Sequence, residues 1–286
     1  HFPRLSDAQM NWIVNRIPDP IASRDFVGDA ELDAFGFPRL QDWFKGREGV
    51  SYYCHIDIGL SRDSTGLAIA HLAETEKGLL PVVDLAFRWK ASHFFEFGEI
   101  LRHDWRHGDQ YTERVEAAEV DLPTVTNFVI WLKRARAFSF EMVTCDGFNS
   151  AQLLQTLMQA DIPVGLHVVD KADYDEFKSV VYGRQLQYRC DRILYHELSK
   201  LEIRGQKVEA PRTKTSDGGK TDSHKDLADA VASVVARLCR MVAAIADFVV
   251  LPEVNEGAIS ESKSTVVDAN GDFSESQQKL LDEFFK

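Results

Sequence analysis

Four carboxylates carry the chemistry this sequence offers. Asp57 sits in the apolar run Tyr52–Ile58, flanked by Ile56 and Ile58. Asp146 closes another apolar run, Phe140–Cys145, and stands before Gly147. Asp226 and Asp229 lie in SHKDLADAVA, three positions apart at the start of a long helical pattern. A carboxylate in an apolar strand costs several kcal/mol unless it is paired, protonated or bound to a metal. Residues three apart on a helix share a face, so Asp226 and Asp229 can point the same way. Gathered together, such acids repel, and hard divalent cations relieve the repulsion; all-oxygen ligands suit Mg²⁺ or Mn²⁺. Two such ions about 4 Å apart activate a water and stabilise a leaving oxygen in phosphodiester cleavage. Each acid alone also has a structural reading. Asp57 can end its strand in the turn, Asp146-Gly147 is a common turn pair, and Asp226 suits a helix N-terminus.

The elements must decide whether the acids meet. Tyr52–Ile58, Leu67–Leu72 and Leu79–Trp89 read as three strands joined by tight turns, an antiparallel meander. Phe94–Val120 is polar and charged and reads as an inserted loop or helix. Pro123–Phe138 has helical spacing, with Val125, Phe128, Val129 and Leu132 on one face. Its basic end, Lys133, Arg134 and Arg136, suits a helix C-terminus. Phe140–Cys145 is a fourth strand, and Asn149 or Ser150 can cap the helix Ala151–Ala160. Pro163–Val169 is a fifth strand, so the order implies a right-handed parallel crossover. Helices are expected over Tyr174–Tyr188 and Ile193–Leu201, then a small hairpin through Gly205-Gln206. A Gly, Ser and Thr loop, Lys214–His224, precedes the last helix, Asp226–Ala244. The sheet therefore begins antiparallel and continues parallel. If the fourth strand lies beside the first, Asp57 and Asp146 are neighbours.

Composition narrows the class. The 286 residues are 44% hydrophobic, enough for a sizeable core. No apolar run approaches the roughly 20 residues of a membrane span, and His1–Pro20 has no signal-peptide core. The chain opens on His1, so it reads as a fragment or a processed chain. Cys54, Cys145, Cys190 and Cys239 form no CxxC pair, which argues against zinc and fits a reducing compartment. The net charge of −12 argues against nucleic acid. From Lys178 to Lys225, however, eleven Lys and Arg face six Asp and Glu, a local net of +5. That stretch is either an ordinary solvated surface or a basic face for DNA, with Arg184, Arg189, Lys214 and Lys220 as its candidates.

Three segments resemble the C-terminal nuclease domain of tailed-phage terminase large subunits. HIDIGLSRDSTGLAIAHL is similar to that family's first strand, loop and second strand. FEMVTCDGFNSAQLLQTL resembles its second acidic motif, and SHKDLADAVA its third. The likeness covers Ser51 to about Leu238; the first and third motifs together are specific, while a strand ending in Asp is common. The resemblance implies an α/β, RNase H-like fold. It has a mixed five-stranded sheet, three antiparallel strands then two parallel, flanked by helices. It implies an endonuclease cutting concatemeric double-stranded DNA during packaging, by two-metal hydrolysis with Mg²⁺ or Mn²⁺. Asp57, Asp146 and Asp226 would be the catalytic metal ligands and Asp229 a further ligand, with Asp63, His224 and Lys225 in support. Implied partners are the portal protein, the small terminase subunit and a motor ATPase domain, in the cytoplasm of the infected host. The chain departs from the family in two ways. SDGGKT, Ser216–Thr221, lacks the first Gly of a phosphate loop, and Gly98–Ala118 is longer than the pattern needs. A Holliday-junction resolvase, a transposase-like nuclease and a docking module with structural acids are the alternatives. The expected layout is a lead-in over 1–50, the nuclease domain over 51–248, and a flexible tail over 249–286. A short helix is expected within the tail, Ser274–Phe285.

Overall fold

The computed structural model describes residues 17–249, except 60–63, 77, 91–97, 105–108, 116–119, 148–149, 190, 206, 211–212, 215–219 and 222–224. Leu5–Arg16, which reads as a short helix with Ser6 as its cap, and the tail beyond 249 fall outside the described residues. Among the described residues, no helix is long and apolar enough to cross a membrane.

The meander is β1 (Ser51–Asp57), β2 (Ser64–Thr75) and β3 (Gly78–Lys90). A hairpin follows, β4 (Gly98–Asp104) and β5 (Asp109–Val115). Then come α1 (Leu122–Ala135), β6 (Ser139–Cys145), α2 (Ala151–Gln159) and β7 (Val164–Leu166). The central sheet has the order β3-β2-β1-β6-β7. Its first two pairings are antiparallel, and β1–β6 and β6–β7 are parallel. The antiparallel-then-parallel sheet is the one the strand pattern predicts, and its order is the RNase H-like one that the resemblance implies. The remaining elements are α3 (Lys171–Tyr182), α4 (Arg192–Lys200), the hairpin β8 (Glu202–Arg204) and β9 (Lys207–Glu209), and the ribbon β10 (Thr213–Lys214) and β11 (Lys220–Thr221). Last comes α5 (Asp226–Val249).

Helices cover both faces of the sheet, which is why β1 is a nearly unbroken apolar run. Tyr53, Ala68, Ala70 and Ala86 pack with α3, α4 and α5 on one face. Tyr52, Cys54, Ile56, Leu67 and Ile69 pack with α1 and α2 on the other. Side chains alternate along a strand, so His55 and Asp57 share the α5 face with Tyr53.

Several expectations need correction. Residues 98–104 and 109–115 pair as an antiparallel hairpin in full register, neither loop nor helix. Ile100, Leu101, Tyr111, Thr112 and Val115 supply its β propensity, which the surrounding charge conceals. β7 ends at Leu166, three residues early, and α3 ends at Tyr182, six residues early. Gly183 follows α3, and Arg184 takes a left-handed φ of 58° that no helix continues through. Ser150 stands at the N-cap of α2 without a side-chain capping bond. The lead-in is packed onto the sheet: Ile21, Ala30 and Phe44 are buried in the α1 face. Trp89 Nε1 donates to the Gly36 carbonyl at 2.8 Å. Arg136 donates to the carbonyls of Gln41, Asp42 and Phe44.

Candidate metal centre

The acids are positioned by strand register and by one glycine. The β1–β6 ladder ends at the pair Ile56–Cys145. Asp57 and Asp146 are the next residues, at the carboxyl ends of adjacent parallel strands about 4.8 Å apart. Both are half-buried. On its other side Asp57 pairs with Gly66 of β2. Gly66 has no side chain because α5 starts against it: a Cβ there would stand 2.1 Å from the Asp226 carbonyl oxygen and 2.8 Å from Leu227 N. The backbones of Asp57, Gly66 and Asp226 thus follow one another in space. Three elements deliver Asp57, Asp146 and Asp226 to one end of the sheet.

Asp226 is 6% exposed. Its Oδ2 accepts from the backbone N–H of Ser64 at 3.3 Å and from the Ser64 hydroxyl. Asp229, also buried, accepts from the Tyr174 hydroxyl and from Lys225 Nζ. Burial pushes the Asp229 carboxyl up from its ordinary range, and the Lys225 ammonium works against that rise. Burial alone would lower the Lys225 pKa, but Asp229, Asp57 and Asp226 together raise it. Lys225 therefore stands in the field of three acids. Behind them, Glu197 accepts from the backbone N–H of Ala228 at 2.9 Å and from Arg88 at 3.1 Å. Arg88 also holds Asp29 of the lead-in at 2.9 Å. Ser64, Gly66, Tyr174, Arg88 and Glu197 were not singled out from sequence. Only Gly66 carried a signal, since a lone glycine in a strand marks close backbone approach.

The donor chemistry, hard carboxylate oxygen, fits Mg²⁺ or Mn²⁺. Among the described residues, however, no three His, Cys, Asp or Glu side chains stand close enough to hold one ion as they are. Asp226 and Asp229 are turned onto Ser64, Tyr174 and Lys225 instead.

The chain resembles phage terminase nucleases. Similar solved structures include the large terminase nuclease from thermophilic phage G20c with bound magnesium. It is 11% identical, with 80% of this chain and 95% of that one covered and a TM-score of 0.45. The P22 large terminase nuclease domain is 8% identical over 80% of this chain and 98% of that one, at 0.37. The HK97 bacteriophage large terminase is 15% identical over 68% of this chain, at 0.43; the chain spans 40% of its length. No protein-family model matches the chain, and no curated protein matches it.

Arg184 and Arg189 do not belong to this end. Arg189 needs correction as a DNA contact. It is 7% exposed and bonded to Asp19 at 2.5 Å and Asp191 at 2.6 Å, so its charge ties the lead-in to α4. Arg184 is exposed. Its neighbour Gln187 bridges Val82, six residues along β3 from Arg88, or about 20 Å at about 3.3 Å per residue. Arg184 therefore belongs to the other end of the sheet. Lys214 and Lys220 face each other in the β10–β11 register, on the ribbon that leads into α5. Asp63 and His224 lie outside the described residues, as does most of SDGGKT.

Proposed function

We propose that the chain is a metal-dependent endonuclease that cuts double-stranded DNA during viral genome packaging. The observation that carries this reading is the delivery of Asp57, Asp146 and Asp226, from two parallel strand ends and a helix start, to one end of the sheet. Asp57, Asp146 and Asp226 would hold Mg²⁺ or Mn²⁺, and Asp229 would support them. When bound, the ions would supply an activated water and stabilise the leaving 3′ oxygen. Lys225 neutralises Asp229, which limits the negative charge a DNA phosphate meets at this end. Lys214 and Lys220 would hold the DNA backbone beside the site, with Arg184 on a more distant surface. Phosphate contacts of this kind give sequence-tolerant binding. By resemblance, the partners would be a motor ATPase domain, the small terminase subunit and the portal protein, in the host cytoplasm.

The experiment is plasmid digestion with Mn²⁺, Mg²⁺ or EDTA. Cleavage should require the cation, and Asp57→Asn or Asp146→Asn should abolish it while leaving the fold intact or steadier, since each removes a repelling charge. Full activity in either variant at saturating Mn²⁺ would refute the assignment.

A further inference from the structure

The end of the sheet away from the acids holds a second polar cluster. Tyr52 lies five residues before Asp57 on β1, about 17 Å at about 3.3 Å per residue. Around it opens a cavity of about 300 Å³, lined in part by Trp43, Lys45, Arg47, Tyr52, His71 and Asp84. That volume stands at the lower edge of small-molecule sites. Asp84 reaches the cavity through an irregularity in the sheet. Ile69 pairs with Leu85 and Ala70 with Val83, so Asp84 is the extra residue of a β-bulge. Bulges re-aim side chains, and this one sets Asp84 Oδ2 on His71 Nδ1 at 2.5 Å. The pair is largely covered, at 2% side-chain exposure for His71 and 14% for Asp84. Burial pushes the Asp84 carboxyl up from its ordinary range, against the pull of His71 and Arg47. A guanidinium can only donate, so the contact of Arg47 Nη2 with His71 Nε2 makes that nitrogen an acceptor and leaves the ring proton on Nδ1, facing Asp84. A bulged, buried polar pair calls for a use, because apolar side chains would pack there at less cost.

The groups in front of that pair suit an anion carried on a flat apolar body. Residues 43–47 pass tightly along the turn into β6: the Gly46 N–H donates to the Arg136 carbonyl at 2.7 Å, and a Cβ on Gly46 would stand 2.1 Å from the Ala137 carbonyl oxygen. The passage buries Phe44 and leaves Trp43, Lys45 and Arg47 exposed. The Arg47 side chain is 57% exposed, and its Nη1 makes no hydrogen bond among the described residues. Tyr52 is 1% exposed, and its hydroxyl accepts from the Arg47 backbone N–H at 3.1 Å and from Arg47 Nε at 3.4 Å. A hydroxyl that accepts still has its proton to give, and among the described residues no acceptor takes it. Asp84 does not cancel these donors, since His71 answers it at 2.5 Å while Arg47 Nη2 stands 3.9 Å away. We propose that the cavity binds a nucleoside monophosphate, free or as the terminal nucleotide of a DNA strand, with its phosphate on Arg47, Lys45 and the Tyr52 hydroxyl and its base against Trp43. A guanidinium matches phosphate in charge and geometry, and an indole face stacks on any base.

This site stands apart from the proposed metal centre, so its test is run in EDTA. Calorimetry on the whole chain compares deoxyadenosine monophosphate (dAMP), deoxyadenosine and inorganic phosphate. The nucleotide should bind more tightly than either fragment. Arg47→Gln should weaken dAMP about 10-fold or more, as for losing a hydrogen bond to a charged group, and leave deoxyadenosine unmoved. Trp43→Ala should weaken dAMP and deoxyadenosine alike and leave inorganic phosphate unmoved. Both side chains are exposed, so both variants should keep the parent's Tm. A Kd for dAMP above about 1 mM, or one that Arg47→Gln does not change, overturns the proposal. Inorganic phosphate bound as tightly as dAMP would leave a plain anion site and overturn the nucleotide assignment. Competition then names the source. Displacement of dAMP by a 5′-phosphorylated oligonucleotide, and not by its 5′-hydroxyl counterpart, assigns the site to a strand end. Binding of dAMP that neither displaces assigns it to a free nucleotide. Equal displacement by both would make the surface a general DNA contact and overturn the pocket.

Discussion

Gly66→Ala separates a glycine kept for contact from one kept for its turn. In an open strand, alanine in place of glycine gains about 0.5–1 kcal/mol, because the unfolded chain loses freedom. At Gly66 the new Cβ would meet the Asp226 carbonyl oxygen at 2.1 Å, its carbon at 2.4 Å and Leu227 N at 2.8 Å. Comfortable contacts between such atoms are about 3.5 Å. All three atoms are backbone, so no side chain can swing aside, and β2 and α5 must part by more than about 1 Å. Overpacking of this kind costs about 1–3 kcal/mol. At about 2–4 °C per kcal/mol for a domain of this size, Tm should fall by roughly 2–12 °C. The functional loss should be larger. α5 carries Asp226 at its first turn, and misplacing a reacting group by about 1 Å can cost about 100-fold in rate. Thermal unfolding by circular dichroism, beside plasmid cleavage at saturating Mn²⁺, measures both effects. A variant more stable than the parent, or one that cleaves within about threefold of it, would refute the reading of Gly66 as the contact that seats Asp226.

Two further outcomes follow from the same geometry. Asp226→Ala should lose all cleavage. Asp229→Ala should keep part of it and recover with more Mn²⁺, because Asp229 is bonded to Tyr174 and Lys225; the reverse result would exchange the two roles. Burial raises the pKa of Asp29, but hydrogen bonds from Arg88 and Lys90 outweigh it and bring the carboxyl below 3.8. A folded pKa below the unfolded one gives stability that is present above about 3.9 and lost as pH falls through the folded value. Denaturant unfolding at pH 7, 4 and 2 should therefore show Asp29→Asn weaker at pH 7, with the deficit shrinking below pH 4. A deficit constant across that range would refute the ion pair as its source.

The strands of this sheet could be read from the sequence because both faces are covered. A strand buried on two sides is apolar throughout, and β1, β2 and β3 stand out for that reason. Patterning failed elsewhere. The β4–β5 strands pair in full register although their sequence shows no clean alternation of polar and apolar residues. α3 stops at a left-handed Arg184, a conformation that residue type does not announce. Counting charge also failed at Arg189. A local net of +5 does not tell a solvated arginine from one closed between Asp191, two residues away, and Asp19, 170 positions back in the chain.

The candidate site was half legible for a related reason. Asp57 could be picked out because a carboxylate between Ile56 and Ile58 needs an explanation. The start of α5 is harder to read, since Leu227, Ala228, Ala230 and Val231 are all at 0% exposure and both acids are buried among them. With every side of the helix covered, no polar face exists to sort Asp226 from Asp229. What separates them is their partners on other elements: a serine hydroxyl for one, a tyrosine and a lysine for the other. Each buried carboxylate needs such compensation, and here it is unequal. Asp229 faces a full positive charge, while Asp226 is met by the amide and hydroxyl of Ser64 and the amide dipoles at the helix start. Lys225 answers to Asp57, Asp226 and Asp229 together, and Arg88 adds its charge opposite Asp226. The proposed divalent cations would join these charges in holding the acids at the strand ends.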